Sequence, residues 1–364
     1  MIRSVASVAL LIASFSSSTW PEDSARAPDT KAGDRPALAI QSPRTIRSDI
    51  FAAAGTTHPL PLFIEVIGTS LLVGGGGGGD TTFFVHDRMT GRVRSVFGRE
   101  GSGPGEFRSI GALTIRWDSG TGRQSVWAFD RALGRLTEID LRNPNSPQIG
   151  RTVSGELAGQ YSAYWLSSTA IVGVGAFTDK RLTLYDSTGS RLRSVGELPL
   201  YDEGVPATVA HQALQPSIAV SASGDRIAVG ARYSGQVDLY SMPEGALSSA
   251  RVPSPFRPTI DVGSNGAMLV FRTDRNTRFG YISLTASTTR IYALFSGRTR
   301  GQFPGRANYA RELHVFNWSG RLIEVARLDR DVFSIASTAD GSILYGISHE
   351  PDSEILKFSL GTRR

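Results

Sequence analysis

The chain has 364 residues, 40% of them hydrophobic and 20% charged, with 40 glycines, 18 prolines and no cysteine. That composition suits a globular protein with a sizeable core, and it excludes disulfides, thiolate nucleophiles and cysteine-ligated zinc. The net charge is +6, but the 39 basic residues (only Lys31, Lys180 and Lys357 are lysine) are scattered among acids in every segment, whereas a nucleic-acid binder gathers its cations on one stripe.

The N-terminus carries Arg3, an apolar run from Val5 to Phe15 and then small polar residues, which is the layout of a secretory signal. Residues 1–20 are assigned to that signal, with cleavage between positions 18 and 27, and residues 21–35 to a polar linker. Phe15 stands where a lipoprotein would need its acylated cysteine. No later segment has the apolar length to cross a bilayer. The expectation is an exported monomer, periplasmic or extracellular.

From about residue 60 one pattern recurs: a short apolar strand, a small polar residue and a turn closing on glycine. The copies are FFVHDRMTG, LTEIDLRNPN, LTLYDSTG, VDLYSMPEG, LHVFNWSG and ILKFSLG, anchored at Asp87, Asp140, Asp186, Ser241, Asn317 and Ser359. The anchors lie 53, 46, 55, 76 and 42 residues apart. A period of forty to fifty residues holding about four strands is that of a propeller blade. Six copies predict an all-β, six-bladed β-propeller over residues 36–361, with four antiparallel strands per blade.

The final unit shows only three strands before the chain ends, so residues 36–50 (PALAIQSPRTIRSDI) are expected to supply its outer strand and clasp the ring. An open edge would otherwise invite aggregation. The longest interval contains an extra apolar run, GAMLVFRTD. It reads as an elongated outer strand with a long loop, and a seventh blade is its competitor.

The segment FGREGSGPGEFRSIGAL (97–113) holds five glycines. A phosphate loop would need GxxxxGK[ST], and a dinucleotide site GxGxxG opening a helix. No lysine is near, and Phe107 leads into the strand ALTIRW. The glycines read as a turn between blades, with positive φ at Gly103 or Gly105 and Phe107 dropping between the sheets. The run Gly74 to Gly79 reads as a loose loop, since glycine weakens a strand interior.

FGREGSGPGEF resembles the junctions of NHL-repeat propellers and of the TolB-like six-bladed propellers of bacterial envelopes. SVWAFDRALGRLTEID (125–140) is similar to an NHL strand–turn–strand unit. The run from YISLTASTTRIYALFSGR to DGSILYGIS resembles the last two blades of the TolB-like group. Together these stretches cover most of residues 60–360, and the resemblance implies an architecture without an assigned activity.

Chemistry-bearing residues are few. Of five histidines, His86 and His314 fall on third strands and His58 belongs to no motif. His349-Glu350 is followed by Pro351 and lacks the second histidine of a zinc motif. No GxSxG elbow and no DxDxDG calcium loop occurs, and no cofactor is expected. Asn317-Trp318-Ser319 reads as a blade turn although it spells a glycosylation sequon. Trp127, Trp165 and Trp318 are expected between blades; exposed, they would suit a sugar. Loops on one face gather Arg99, Glu106, His211, Arg298, Arg300, Phe303, Arg306 and Tyr309, and arginine with aromatics is what binding surfaces enrich. The reading is a non-catalytic scaffold whose partner is another protein or an acidic envelope polymer. The alternative is a metal-dependent lactonase or lyase, for which Glu65, Asp118, His211 and Asp331 are the candidates near inner strands.

Overall fold

The computed structural model describes residues 43–53, 60–75, 83–118, 120–175, 180–198, 204–266 and 268–361. The signal and linker assignments therefore lie outside the described residues. Six four-stranded antiparallel sheets follow one another around a ring. Their inner strands are Pro61–Ile67, Ile110–Asp118, Gln160–Trp165, Pro216–Val220, Tyr281–Ala286 and Ser334–Ser337. The six repeated segments are the third strands, Phe83–Asp87, Arg135–Asp140, Lys180–Asp186, Val237–Ser241, Ala310–Asn317 and Ser353–Ser359.

The anchors recur because they build turns. Asp87 Oδ1 accepts the amides of Met89 and Thr90 at 2.8 Å each. Asp186 does the same for Thr188 and Ser190, and Asn317 for Ser319 and Arg321. A short acceptor bonding the backbone two to four residues on is what makes Asp and Asn turn residues. The sequon is thus occupied by turn geometry. After the first anchor, Gly91 has φ +73°, and a Cβ there would lie 2.2 Å from the carbonyl oxygen of Phe51. Only glycine fits that crossing.

The core is divided into six layers, one at each blade junction. Leu72 and Val85 of the first blade meet Leu113, Val126 and Ile139 of the second around Phe107. Their neighbours Leu71, Val73 and Phe84 face the opposite way and meet Tyr345, Ile347 and Ile355 of the sixth. Side chains alternate across a strand, and here both faces are buried, so the middle strands are apolar at nearly every position. Burying each large apolar side chain contributes about 1.5–3 kcal/mol. Phe107 is 3% exposed and sits edge-on to Phe83 at 5.0 Å, between blades as its sequence position implied. Trp127 and Trp165 are buried in the next layer, edge to face at 5.0 Å. Trp318 is half-buried against the layer between the fourth and fifth blades.

The ring is clasped by the N-terminal side of the chain. Ser48–Ala53 forms the outer strand of the sixth blade, antiparallel to Ser353–Ser359. It overlaps the expected segment only at its end. Before it, Arg44–Ile46 adds a parallel fifth strand to the outer strand Leu322–Val332 of the fifth blade. Ile46 explains the shift: its side chain, 4% exposed, is drawn into the layer of Leu328, Leu344 and Phe358, so the chain is committed to two blades in succession.

The extra apolar run is neither an elongated outer strand nor a seventh blade. Asp261–Asn265 and Met268–Arg272 pair as a free-standing hairpin between the fourth and fifth blades. The loop expected around His211 contains a seven-residue helix, Ala207–Ala213. Gly74 and Gly75 end a strand, and the rest of the glycine run lies outside the described residues.

Candidate functional site

Arg99, Glu106 and His211 lie in segments that join one blade to the next, and Arg298, Arg300, Phe303, Arg306 and Tyr309 lie in the loop joining the second and third strands of the fifth blade. The glycine segment folds around its own carboxylate. Glu106 accepts the Gly103 amide at 2.8 Å and the Arg99 guanidinium at 2.7 Å. The Arg135 guanidinium pins the segment from the second blade, donating to the carbonyls of Ser102, Gly103 and Glu106. Gly105 has φ +73°, whereas Gly103 does not adopt positive φ. The amide that could have faced a phosphate is used internally.

The helix and the hairpin are joined by one side chain. Gln212 accepts the Phe271 amide at 2.9 Å and donates to the Leu269 carbonyl at 3.3 Å. Beneath them Phe271 packs on Tyr233 and Tyr233 on Phe279. His211 is buried on the inner side of the helix, 1% exposed. The hairpin exposes Val262, Met268 and Leu269, at 40%, 66% and 47%. The Arg300 guanidinium donates to the Thr273 hydroxyl, which links the hairpin to the arginine loop.

Within that loop the cations converge on Asp331, at the end of the fifth blade. Arg298 forms a two-pronged ion pair with it at 3.0 and 2.7 Å, Arg311 reaches it at 2.8 Å and Arg306 at 3.1 Å. Arg306 also pairs with Glu350. Burial of the Asp331 carboxyl works against ionisation, but the hydrogen bonds from Arg298, Arg311 and Arg306 together outweigh it and hold the pKa at about 2. Arg298 also lies over the Phe303 ring at 4.6 Å. Tyr309 hydrogen-bonds His349 Nδ1 at 2.8 Å, and His349 Nε2 meets the Pro61 carbonyl at 2.8 Å. Nε2 donates to that carbonyl, burial lowers the imidazole pKa, and in the neutral ring Nδ1 accepts from the tyrosine. The chain of bonds ties the fifth, sixth and first blades.

A channel of about 1010 Å³ runs between the inner strands. Several of its hydroxyls stitch neighbouring blades. Thr114 accepts the Trp165 amide at 3.0 Å, Ser217 that of Leu284 at 2.6 Å, Ser283 that of Ile335 at 3.1 Å and Thr285 that of Ser337 at 3.1 Å. Glu65 is different. Among the described residues its carboxylate accepts only the Val66 amide, at 3.0 Å, and burial raises its pKa to about 7 against the effect of that bond. Tyr164, across the channel on the third blade, is pushed up to about 12, first by burial and also by the Glu65 charge. Arg232, in a loop of the fourth blade, has no hydrogen-bond or ion-pair partner for its guanidinium among the described residues, and burial lowers its pKa.

The four candidates for metal chemistry are dispersed: Glu65 on the channel wall, His211 under the helix, Asp331 among arginines, and Asp118 capping an exposed turn through Gly120 and Thr121. Among the described residues no three His, Asp or Glu side chains converge to hold an ion. Sequence reading missed Asp331 as the hub of the loop, and Arg232 altogether. Neither carries a local signal, because the arginines on Asp331 lie 20 to 33 positions away in the chain and the wall facing Arg232 belongs to other blades.

The TolB-like 6-blade propeller-like family model matches residues 61–339. No curated protein matches the chain. Among solved structures it is similar to U3-55K, at 10% identity and a TM-score of 0.50, covering 88% of this chain and 100% of that one. It is also similar to the WD40 repeats of RRP9, at 11% identity and a TM-score of 0.49, with coverage of 88% and 100%. The β-propeller domain of Cps50 (Swd1) from Myceliophteria thermophila gives 15% identity and a TM-score of 0.47, with coverage of 86% and 100%. At such identities these likenesses concern the fold alone. The family match spans more than half of the chain, all six inner strands lie within or begin inside it, and the chain belongs to the TolB-like 6-blade propeller-like family.

Proposed function

We propose that this protein is an exported, non-catalytic propeller that binds another protein or an acidic envelope polymer through its loop-rich face. One observation carries the reading. The hairpin Asp261–Arg272, which no blade uses, is held between the helix and the arginine loop and turns Val262, Met268 and Leu269 to solvent. Side chains of that size exposed together on one small element mark an interaction surface. Arg300, whose partner is the neutral Thr273 hydroxyl, and Phe303, 40% exposed, extend it with an uncompensated cation and a ring. Arg298 and Arg306 contribute mainly by fixing the loop on Asp331. Export is supported by Arg3 and the apolar run that follows it.

The test is affinity capture from an envelope fraction, comparing the wild-type chain with a Met268→Ser, Leu269→Ser, Arg300→Ser variant. The same partner should be retained by the wild type and lost by the variant at an unchanged melting temperature. Equal retention by both would remove the loop face from the function.

A further inference from the structure

The channel presents two charges that the fold itself does not use. Glu65 belongs to the first blade and Arg232 to the fourth, three positions apart in a ring of six, so they stand on opposite walls. Neither side chain meets an opposite charge among the described residues. The hydroxyls of Thr114, Ser217, Ser283 and Thr285 are committed to the amides of adjacent blades. Both side chains are half-buried, so each charge is partly withdrawn from water without a partner, which is costly, and a ring closed by apolar layers has no structural need of them.

The two charges also differ in depth. Arg232 is level with the start of its blade's inner strand, where its amide bonds the Gln215 carbonyl at 3.0 Å. Glu65 lies four residues into its own inner strand, which at about 3.3 Å per residue is about 13 Å further in. Around the mouth Arg108 and Arg131 stand with Glu100, so positive charge prevails there. Between the two levels the wall mixes the edges of Ile64, Ile218, Ile282 and Leu284, which are otherwise buried between blades, with the hydroxyl-bearing Ser162, Ser217 and Ser283.

We propose that the channel is a binding site for a short peptide in extended form, its ammonium group on Glu65 and its carboxylate on Arg232 at the mouth. About four extended residues match the difference in depth. The volume lies at the upper end of what small-ligand sites provide. A wall that mixes apolar edges with hydroxyls suits small side chains between the charged termini. This site is separate from the loop-face reading and stands or falls independently of it.

Calorimetric titration of the full chain with tetra-alanine, its N-acetylated form and its C-terminal amide tests the assignment. The free peptide should bind, and blocking either end should weaken it by about tenfold or more, the size expected for a hydrogen bond to a charged group. Glu65→Gln should abolish the penalty for acetylation alone, and Arg232→Gln the penalty for amidation alone. Failure of all three peptides to bind at millimolar concentration, or equal binding of free and blocked forms, would overturn the proposal. Because the blocked peptides are compared on the unmodified protein, the test survives a variant that does not fold.

Discussion

On the channel wall the Glu65 carboxylate meets one backbone amide, whereas at the rim the Asp331 carboxylate meets three guanidinium groups. Burial penalises the charged form in both places, yet the first titrates near 7 and the second near 2. The difference lies in the number of donors aimed at the oxygens and in their charge, one neutral amide against three guanidinium groups. The comparison separates two uses of a buried acid. Asp331 holds the long loop onto the fifth blade, and among the described residues Glu65 bonds only the amide next to it.

The largest expected effect comes from breaking the rim. Asp331→Asn leaves Arg298, Arg306 and Arg311 facing one another without their shared anion, and the protein should lose about 3 kcal/mol, the lower end for breaking a buried pair. Urea unfolding at neutral pH measures this. The wild type has a matching acid dependence. Its folded-state value of about 2 lies below the ordinary 3.8, so the stabilisation is complete above the ordinary value and is lost as pH falls towards 2.

Glu65→Gln should act in the opposite direction and somewhat more weakly. The folded-state pKa of about 7 exceeds the ordinary 4.5, so the folded protein binds more protons between those values and its stability falls as pH rises through them. The variant removes that fall. It should be more stable than wild type by about 1–3 kcal/mol at pH 8 and no different at pH 4, as thermal melts at the two pH values would reveal. A loss of stability at both would mean that Glu65 is structural after all.

Arg99→Ser gives the smallest effect and sharpens the contrast with Asp331. Its ion pair with Glu106 is short, at 2.6 Å, but the arginine is 72% exposed, and exposed pairs contribute little. The melting temperature should not change measurably, and a drop would show that the glycine turn depends on this pair as well as on Arg135.

The sequence by itself determined the repeat, the strand order within each blade and the turns. An Asp or Asn acceptor, the amides it caps and the closing glycine lie within a few positions of one another, so a local pattern records them. The same holds for Phe107, whose place between blades follows from the turn before it, and for a last blade visibly short of one strand. Tertiary structure alone decided the rest. The arginines on Asp331 come from 33, 25 and 20 positions away, and their approach depends on how far the loop folds back over the blade. Ile46 moved the clasp by choosing a layer that exists only when the ring is closed. Glu65 and Arg232 share a channel because closure sets the first blade opposite the fourth, and a relation created by closing a ring leaves no spacing for a linear pattern to carry.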